Sequence, residues 1–144
     1  MQRYLGKISG PLLDRIDIHI EVTPVPFEKL SDERKGESSI EIRKRVTAAR
    51  EIQSQRFQEI ENIHYNAQMN VKQIRLFCQL SEESKTLLKT AMEKLNLSAR
   101  AYDRILKVAR TISDLANEKD ILPNHISEAI QYRSLDREGW LGEV

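Results

Sequence analysis

Cysteine is nearly absent from this chain of 144 residues, which contains only Cys78. A single thiol cannot form an internal disulfide, and its position in the apolar run 74–80 is typical of a small buried residue rather than a nucleophile. No apolar run reaches the roughly 18 residues that suggest a membrane span. No signal-peptide pattern is present either. We therefore expect a cytoplasmic protein with no membrane partner.

Glycine and proline are also scarce, with five and four copies, and most of them lie in the first 36 residues or near the end. Their scarcity in between predicts helices there. Lys and Arg (23) balance Asp and Glu (22), so the net charge of +1 implies no global attraction to nucleic acid or anionic membranes. His19, His64 and His125 are far apart and lack Asp or Cys at ligand spacing, so we expect no metal site.

The loop that cradles ATP phosphates is missing as well. That loop has the pattern Gly-x4-Gly-Lys-Ser/Thr, but Gly6-Lys7 is followed by Ile8 and no glycine lies five positions earlier. No apolar strand ends in Asp-Glu to hold magnesium. We therefore expect the chain alone to bind neither ATP nor Mg²⁺ and to be inactive as an ATPase.

Among the patterns that are present, residues 8–22 read ISGPLLDRIDIHIEV. Gly10-Pro11 marks a turn or a helix start. Beyond Arg15, apolar and polar residues alternate with a period of two, which predicts a half-buried strand over 16–22. One side of this strand would carry the apolar residues Ile16, Ile18, Ile20 and Val22, and the other side the polar residues Asp17, His19, Glu21 and Thr23. From spacing alone, the default interpretation of Arg15 is an ion pair with Asp14 or Asp17.

Most of the remaining chain has helical patterns. Capping residues predict helix starts at Ser38 or Ser39, at Ser81, at Ser98 and at Pro123. A short helix is expected over 71–79, an exposed connection over 62–70, and a longer helix over 99–118. The residues predicted to face inward are Ile42, Val46, Ala49, Gln53, Phe57 and Ile60, then Leu87, Leu88, Ala91 and Leu95, then Ile105, Val108, Ala109, Ile112, Leu115 and Ala116, and finally Ile126, Ala129 and Ile130.

The predicted helix over 99–118 carries a basic ridge, with Arg100, Arg104, Lys107 and Arg110 at intervals of four, three and three residues. Such a ridge is usually a solvated flank with ion pairs to nearby acids. Arg100 differs because it lies at a helix start, where a cation gains nothing from the helix dipole. Its planar guanidinium would suit a phosphate.

Two motifs, ISGPLLDRID at 8–17 and LSARAYDRILKVARTI at 97–112, resemble the magnesium-chelatase-like AAA+ ATPases of bacteria, of the ComM/YifB competence-protein type. The resemblance covers nearly the whole chain but only the C-terminal part of such a protein. It implies a mainly α fold: a helical-bundle AAA+ lid domain after a one-strand remnant of the α/β ATPase core. The implied domains are the core remnant at 1–26, a linker at 27–38 and the all-α lid at 39–144.

The same resemblance implies roles for three arginines. Arg15 would be the arginine finger that reaches the ATP of a neighbouring subunit, Arg100 would be the sensor 2 residue, and Arg104 is a weaker candidate for contact with the nucleotide. In the full-length protein it implies ATP and Mg²⁺ as cofactors, a hexameric ring of identical subunits, and DNA as the substrate of a motor acting in recombination during natural transformation.

Two other interpretations stay open. One is a motor for metal insertion into a porphyrin, as in the true chelatases. The other is a non-catalytic helical interaction module, in which Arg15 and Arg100 form surface ion pairs. The module requires the 16–22 strand to find a partner within this chain, because a lone strand cannot complete a sheet.

Overall fold

The computed structural model describes residues 10–13, 15–20, 22, 24 and 36–133. Within these residues the chain is helical and contains no sheet, which confirms the mainly α fold of a helical lid. The α-helices are α1 (Gly10–Leu13), α2 (Ser39–Phe57), α3 (Val71–Phe77), α4 (Glu82–Lys94), α5 (Ala99–Leu115) and α6 (Pro123–Gln131), with a 3₁₀ turn at Asn66–Gln68. Most of the predicted core remnant and linker, and the tail after 133, lie outside the described residues, so the domain boundaries stay a prediction.

The helix starts follow the predicted caps. The side-chain oxygens of Ser38, Ser81 and Ser98 each accept a hydrogen bond from the backbone N–H three residues later, at 3.3, 3.2 and 3.1 Å. These bonds satisfy donors that the first turn of a helix leaves without a partner. Pro123 occupies the first turn of α6, where its missing N–H costs nothing. Local side-chain chemistry therefore sets four of the helix starts.

Helix α5 ends at Leu115, three residues before the predicted end. Asn117 has a φ of 56°, and the N–H of Glu118 donates to the carbonyl oxygen of Ser113 at 2.8 Å. This left-handed closing turn satisfies the last carbonyl groups of the helix, and asparagine adopts it more readily than most residues. The predicted end of α5 at residue 118 was therefore too late. Asn117 does not interrupt the spacing of the apolar residues, so the sequence did not show that the helix closes there.

The core of the bundle is built around α5, which packs against α2, α3, α6 and the 3₁₀ turn. Ile105 and Ala109 of α5 are fully buried, and α6 meets them with Ile126 and Ala129, as predicted. Helix α4 contributes Leu88 to the same core and packs against α6. None of the described helices combines the length and apolarity needed to cross a membrane.

The connection over 62–70 is exposed at six of its nine residues, as expected, but the other three are buried. Asn66 and Met69 are only 1% and 2% exposed, and Ile63 is also buried. Met69 belongs to the hydrophobic core, while the side chain of Asn66 bonds to α5. The segment lacks a helical period because its backbone is irregular, and irregular backbone can still be buried when its polar groups have partners.

Several apolar residues predicted to face inward are exposed, namely Ile42, Val46, Leu87, Leu115 and Ala116. The first ten residues of α2, 39–48, are all exposed, so its apolar stripe is buried only from Ala49 onward. In α4 Leu88 is buried, whereas the adjacent Leu87 is exposed. A helical period identifies a face, but it does not say where along the helix the neighbouring elements end.

The predicted strand over 16–22 is not formed in its described residues, 16–20 and 22. The expected burial is also reversed, because Ile18 and Ile20 are 46% and 70% exposed whereas His19 is 6% exposed. A strand requires a neighbour for its backbone groups, and the described part of the chain offers no second strand beside this segment. The segment is attached to the helices through polar groups instead.

Cys78 lies in the core, as predicted, at 5% exposure. Burial raises the pKa of its thiol to about 11, although the positive charges of Arg110 and Arg56 act in the opposite direction. The thiol is therefore protonated at neutral pH, which makes it a poor nucleophile because the thiolate is the reactive form.

The raised pKa of Cys78 predicts a loss of stability in alkali. An unfolded thiol loses its proton near pH 9, whereas the folded one keeps it until about pH 11. Between these values the unfolded state is favoured progressively, by about 1.4 kcal/mol per pH unit at most. Urea unfolding at pH 8, 9.5 and 10.5 should show this fall, and Cys78→Ala should show a smaller one. Equal slopes for the two proteins would contradict the assignment.

Candidate functional site

Arg15 lies in the turn that follows α1. Its backbone N–H donates to the carbonyl oxygen of Leu12 at 3.0 Å, and its Nη1 donates to the carbonyl oxygen of Pro11 at 2.7 Å. The residue is exposed, and Asp17, one of its two possible ion-pair partners, pairs elsewhere. The other, Asp14, lies outside the described residues. Among the described residues, the guanidinium thus bonds to a neutral carbonyl and to no acid.

Polar contacts attach residues 15–20 to the helical bundle. The carboxylate of Asp17 pairs with the guanidinium of Arg104 on α5. The N–H of His19 donates to the carbonyl oxygen of Tyr132, just after α6, at 2.8 Å. Arg133 donates from Nη1 to the carbonyl oxygen of Ile16. The segment that carries Arg15 is therefore bonded to both α5 and the end of α6.

The space beneath this segment is only partly filled. A groove of about 250 Å³ lies between Asp17 and Ile18 on one side and Val108, Ile112 and Tyr132 on the other. Its lining is mostly apolar, yet the Ile18 side chain remains half exposed beside it. The segment is held mainly by directional polar bonds rather than by close packing.

The basic residues of α5 fall into different environments. Arg100 is exposed in the first turn and has no hydrogen bond or ion pair with any residue that the structure describes. Arg104 binds Asp17, and the Nζ of Lys107 donates to a carbonyl oxygen in the connection before α3 at 2.9 Å. Arg110 is buried. The prediction of a solvated flank is therefore wrong for Arg110, which bonds to Asp114 and to carbonyl oxygens after α5 instead of facing solvent.

A buried polar network explains the position of Arg110. Arg56 of α2 forms a two-point ion pair with Asp114, with Nη1 donating to Oδ2 at 2.7 Å and Nη2 donating to Oδ1. Asn66 donates to the same Oδ2 at 2.8 Å and accepts from Arg56 at 2.8 Å. The Nε of Arg110 lies 3.3 Å from Oδ1 as an ion pair. The Asp114 side chain is fully buried among these partners.

The network acts as a joint between α2, α5 and the residues that follow α5. Arg110 also donates to the carbonyl oxygens of Lys119 and Glu118, at 2.8 and 2.9 Å. Burial lowers the pKa of the Arg110 guanidinium, and the neighbouring Asp114 carboxylate opposes that shift. The sequence analysis missed this network. Its one visible signal was the four-residue spacing of Arg110 and Asp114, which places opposite charges one turn apart.

The structure places the three candidate arginines as follows. Arg15 and Arg100 are exposed, whereas Arg104 is in contact with the segment that carries Arg15. No group of three or more His, Cys, Asp or Glu side chains is arranged to hold a metal ion in the described part of the chain. Chemically, the described part of the site offers guanidinium groups to an anion.

Comparison with known families gives two matches. Residues 36–133 match the family model described as magnesium chelatase, subunit ChlI C-terminal, and residues 1–30 match the model described as magnesium chelatase, subunit ChlI. The second match contains Arg15, and the first contains Arg100 and Arg104. The boundary between the two models falls close to the predicted linker.

Similar proteins include the competence protein ComM of Haemophilus influenzae, which is 44% identical over 138 residues, or 95% of this chain. The protein YifB of Escherichia coli is 42% identical over 136 residues, or 94% of this chain. The Mycobacterium bovis protein Mb2921c is 34% identical over 132 residues, or 92% of this chain. In each case the match spans only 26% of the relative, so this chain corresponds to about a quarter of these proteins.

Asp114→Asn tests how much the buried network contributes to the free energy of unfolding. The substitution keeps the size of the side chain but leaves the Arg56 and Arg110 guanidiniums without their counter-charge, which should cost about 3–5 kcal/mol of unfolding free energy. The control is Glu93→Ala, because Glu93 forms an exposed pair with Lys89 at 3.9 Å. Its loss should cost less than about 1 kcal/mol. Similar unfolding midpoints for both variants in urea would show that the network does not hold α2 to α5.

Proposed function

This chain belongs to the magnesium-chelatase-like family of the ComM/YifB type, and from that premise we propose that it is the lid and arginine-finger segment of a ring-forming AAA+ ATPase. The rest of the longer protein would bind ATP and Mg²⁺, because the phosphate loop and the magnesium-binding acids are missing from these residues. Copies of the protein would form a hexameric ring with the active site between subunits, in the cytoplasm.

The observation that carries the proposal is the state of the two motif arginines. Arg15 and Arg100 are both exposed, and neither forms an ion pair with an acid that the structure describes. Arg43 and Arg75 are also exposed without a described acidic partner, but they lie outside both motifs, and Arg104 of the second motif is paired with Asp17. A guanidinium left without a counter-charge is suited to an anion supplied from outside the chain.

For Arg15 the proposed anion is the γ-phosphate of ATP bound to the neighbouring subunit. Phosphoryl transfer spreads negative charge over the phosphate oxygens, and an arginine inserted from outside stabilises that charge in the transition state. The Nη1 of Arg15 bonds to the carbonyl oxygen of Pro11, which orients the guanidinium without neutralising it. Arg15 would therefore act on the chemical step more than on ATP binding.

For Arg100 the proposed partner is also a phosphate oxygen of ATP. Arg100 is the second residue of α5, and the positive end of the helix dipole disfavours a cation there unless an anion is close. Its exposure in the described structure agrees with a partner that is supplied only when nucleotide binds. Arg100 would contribute to ATP affinity as the sensor 2 residue.

The proposed work of the motor is the remodelling or branch migration of DNA during recombination in natural transformation. The support is the 44% identity to a protein named for competence. The net charge of +1 provides no general attraction to DNA, so we place the DNA contacts in the remainder of the longer protein or in the ring as a whole.

Two observations favour other functions. The family models are named for magnesium chelatase, which favours a motor for metal insertion into a porphyrin. The bonds between residues 15–20 and the chain's own helices favour a helical interaction module without catalysis. ATP hydrolysis distinguishes the three functions. A DNA motor requires an ATP turnover that responds to DNA, and a chelatase motor requires an ATP turnover that does not. In an interaction module, Arg15 takes no part in ATP hydrolysis.

The role of Arg15 is tested in the full-length protein with steady-state ATP hydrolysis. Arg15→Ala should lower kcat by roughly 10³-fold or more while ATP binding is retained, because the finger acts in the transition state. Arg100→Ala should instead weaken ATP binding. The matched control is Arg43→Ala, which removes an exposed arginine of α2, outside both motifs. A kcat for Arg15→Ala equal to that of the control would rule out the finger.

The nature of the substrate is tested by adding forked DNA to the same assay. We expect the fork to raise ATP turnover several-fold over duplex DNA of equal length, because a motor on branched DNA engages its substrate at the branch. Turnover that is the same with fork, duplex and no DNA would contradict the DNA motor and favour the chelatase-type function.

A further inference from the structure

We propose that Asp17 and Arg104 form a latch that fixes the position of Arg15 relative to α5, the helix that carries Arg100. The inference rests on the function proposed above. It makes Arg104 a positioning residue, in contrast to the nucleotide contact for which the family resemblance made it the weaker candidate. We use "latch" for this ion pair alone.

The latch lies between the two exposed arginines. Arg104 follows Arg100 by four residues, so the two side chains share a face of α5 about one turn, or about 5.4 Å, apart. Asp17 follows Arg15 by two residues, which can span at most about 7 Å of backbone. The ion pair therefore joins the Arg15 segment to α5 close to both groups that the proposed mechanism uses.

The position of the segment depends on a few polar contacts, and this ion pair is one of them. The underlying groove is partly open and Ile18 is half exposed, so close packing does not fix the segment. Two neighbouring bonds, from the N–H of His19 to the carbonyl oxygen of Tyr132 and from Arg133 to the carbonyl oxygen of Ile16, tie the segment to the end of α6. The contact of Asp17 with Arg104 is the described side-chain bond between the segment and α5.

Two simpler interpretations compete with the latch. The pair is partly exposed, with 29% and 52% of the Arg104 and Asp17 side chains accessible, and exposed ion pairs often contribute little to stability. Alternatively, Arg104 could release Asp17 and bind the nucleotide itself. Stability alone distinguishes neither possibility from the latch, so the test must measure the position of the segment and the dependence on the sign of each charge.

The position of the segment is measured by amide hydrogen exchange in this chain. In Arg104→Ala the N–H of His19 should exchange at least ten-fold faster, while the N–H of Ala109 in the buried part of α5 should be unchanged. The control is Lys107→Ala, which removes a cation from the same helix but breaks a contact with Ala67 rather than with the segment. Unchanged exchange at His19 in Arg104→Ala would overturn the latch.

The dependence on charge is measured with ATP turnover by the full-length protein. Arg104→Ala and Asp17→Ala should each lower kcat by five-fold or more with KM within two-fold of the wild type. The double charge reversal Asp17→Arg with Arg104→Asp should recover most of the loss, because a latch needs opposite charges but not a particular order. No recovery, or a loss for Arg104→Ala that appears in KM, would assign Arg104 to nucleotide contact and overturn the latch.

The same assay separates failure of the latch from failure of the proposed function. If Arg15→Ala abolishes turnover while Arg104→Ala and Asp17→Ala leave kcat unchanged, the finger stands and the latch is overturned. If Arg15→Ala leaves turnover unchanged, the finger is ruled out, and the latch loses its proposed role even if the exchange at His19 shows that the contact exists.

Discussion

The buried carboxylate of Asp114 is the interaction on which the arrangement of the bundle depends. Its side chain is removed from water, so its charge requires compensation, and Arg56 and Arg110 provide it from two helices. Asn66 completes the network from the connection between α2 and α3. A hydrophobic contact between α2 and α5 would tolerate sliding and rotation. The two-point bond from Arg56 to Asp114 has one geometry, and it therefore sets how the two helices meet.

Different residues of helix α5 fill the core, form the buried joint and lie at the surface. Ile105 and Ala109 fill the core, and Arg110 and Asp114 make the buried joint near its C-terminal end. In its first turn Ala101 is buried, whereas the neighbouring Arg100 belongs neither to the core nor to the joint. One end of the helix is thus fixed in the bundle, while the other presents a guanidinium on a rigid support. A rigid support suits the phosphate contact proposed for Arg100, because a group already held in place loses little conformational freedom on binding.

The sequence predicted most of the helical fold because the relevant signals are local. Ser38, Ser81 and Ser98 cap the helices at whose starts they stand, and the apolar periods located the buried faces of α5 and α6. The joint was not predicted, because Arg56 and Asp114 are 58 residues apart and no local pattern links them. The exposed end of α2 was missed for a related reason. The apolar residues of α2 keep the same helical spacing in its exposed part, 39–48, and in the part that the bundle covers, from Ala49 onward.

Residues 16–22 show the limit of periodicity most clearly. A period of two assigns residues to opposite sides of the backbone, but the side that becomes buried depends on what lies against each of them. Here the polar side meets the bundle, where Asp17 binds Arg104 and His19 is buried, and the apolar side with Ile18 and Ile20 is left exposed. Of the described residues in this range only His19 is buried, so the prediction of a half-buried strand was wrong both for the backbone and for the side that is buried. The groove beside these residues is mostly apolar, yet the bonds that attach them are polar and involve Arg104 of α5 and, just after α6, Tyr132 and Arg133.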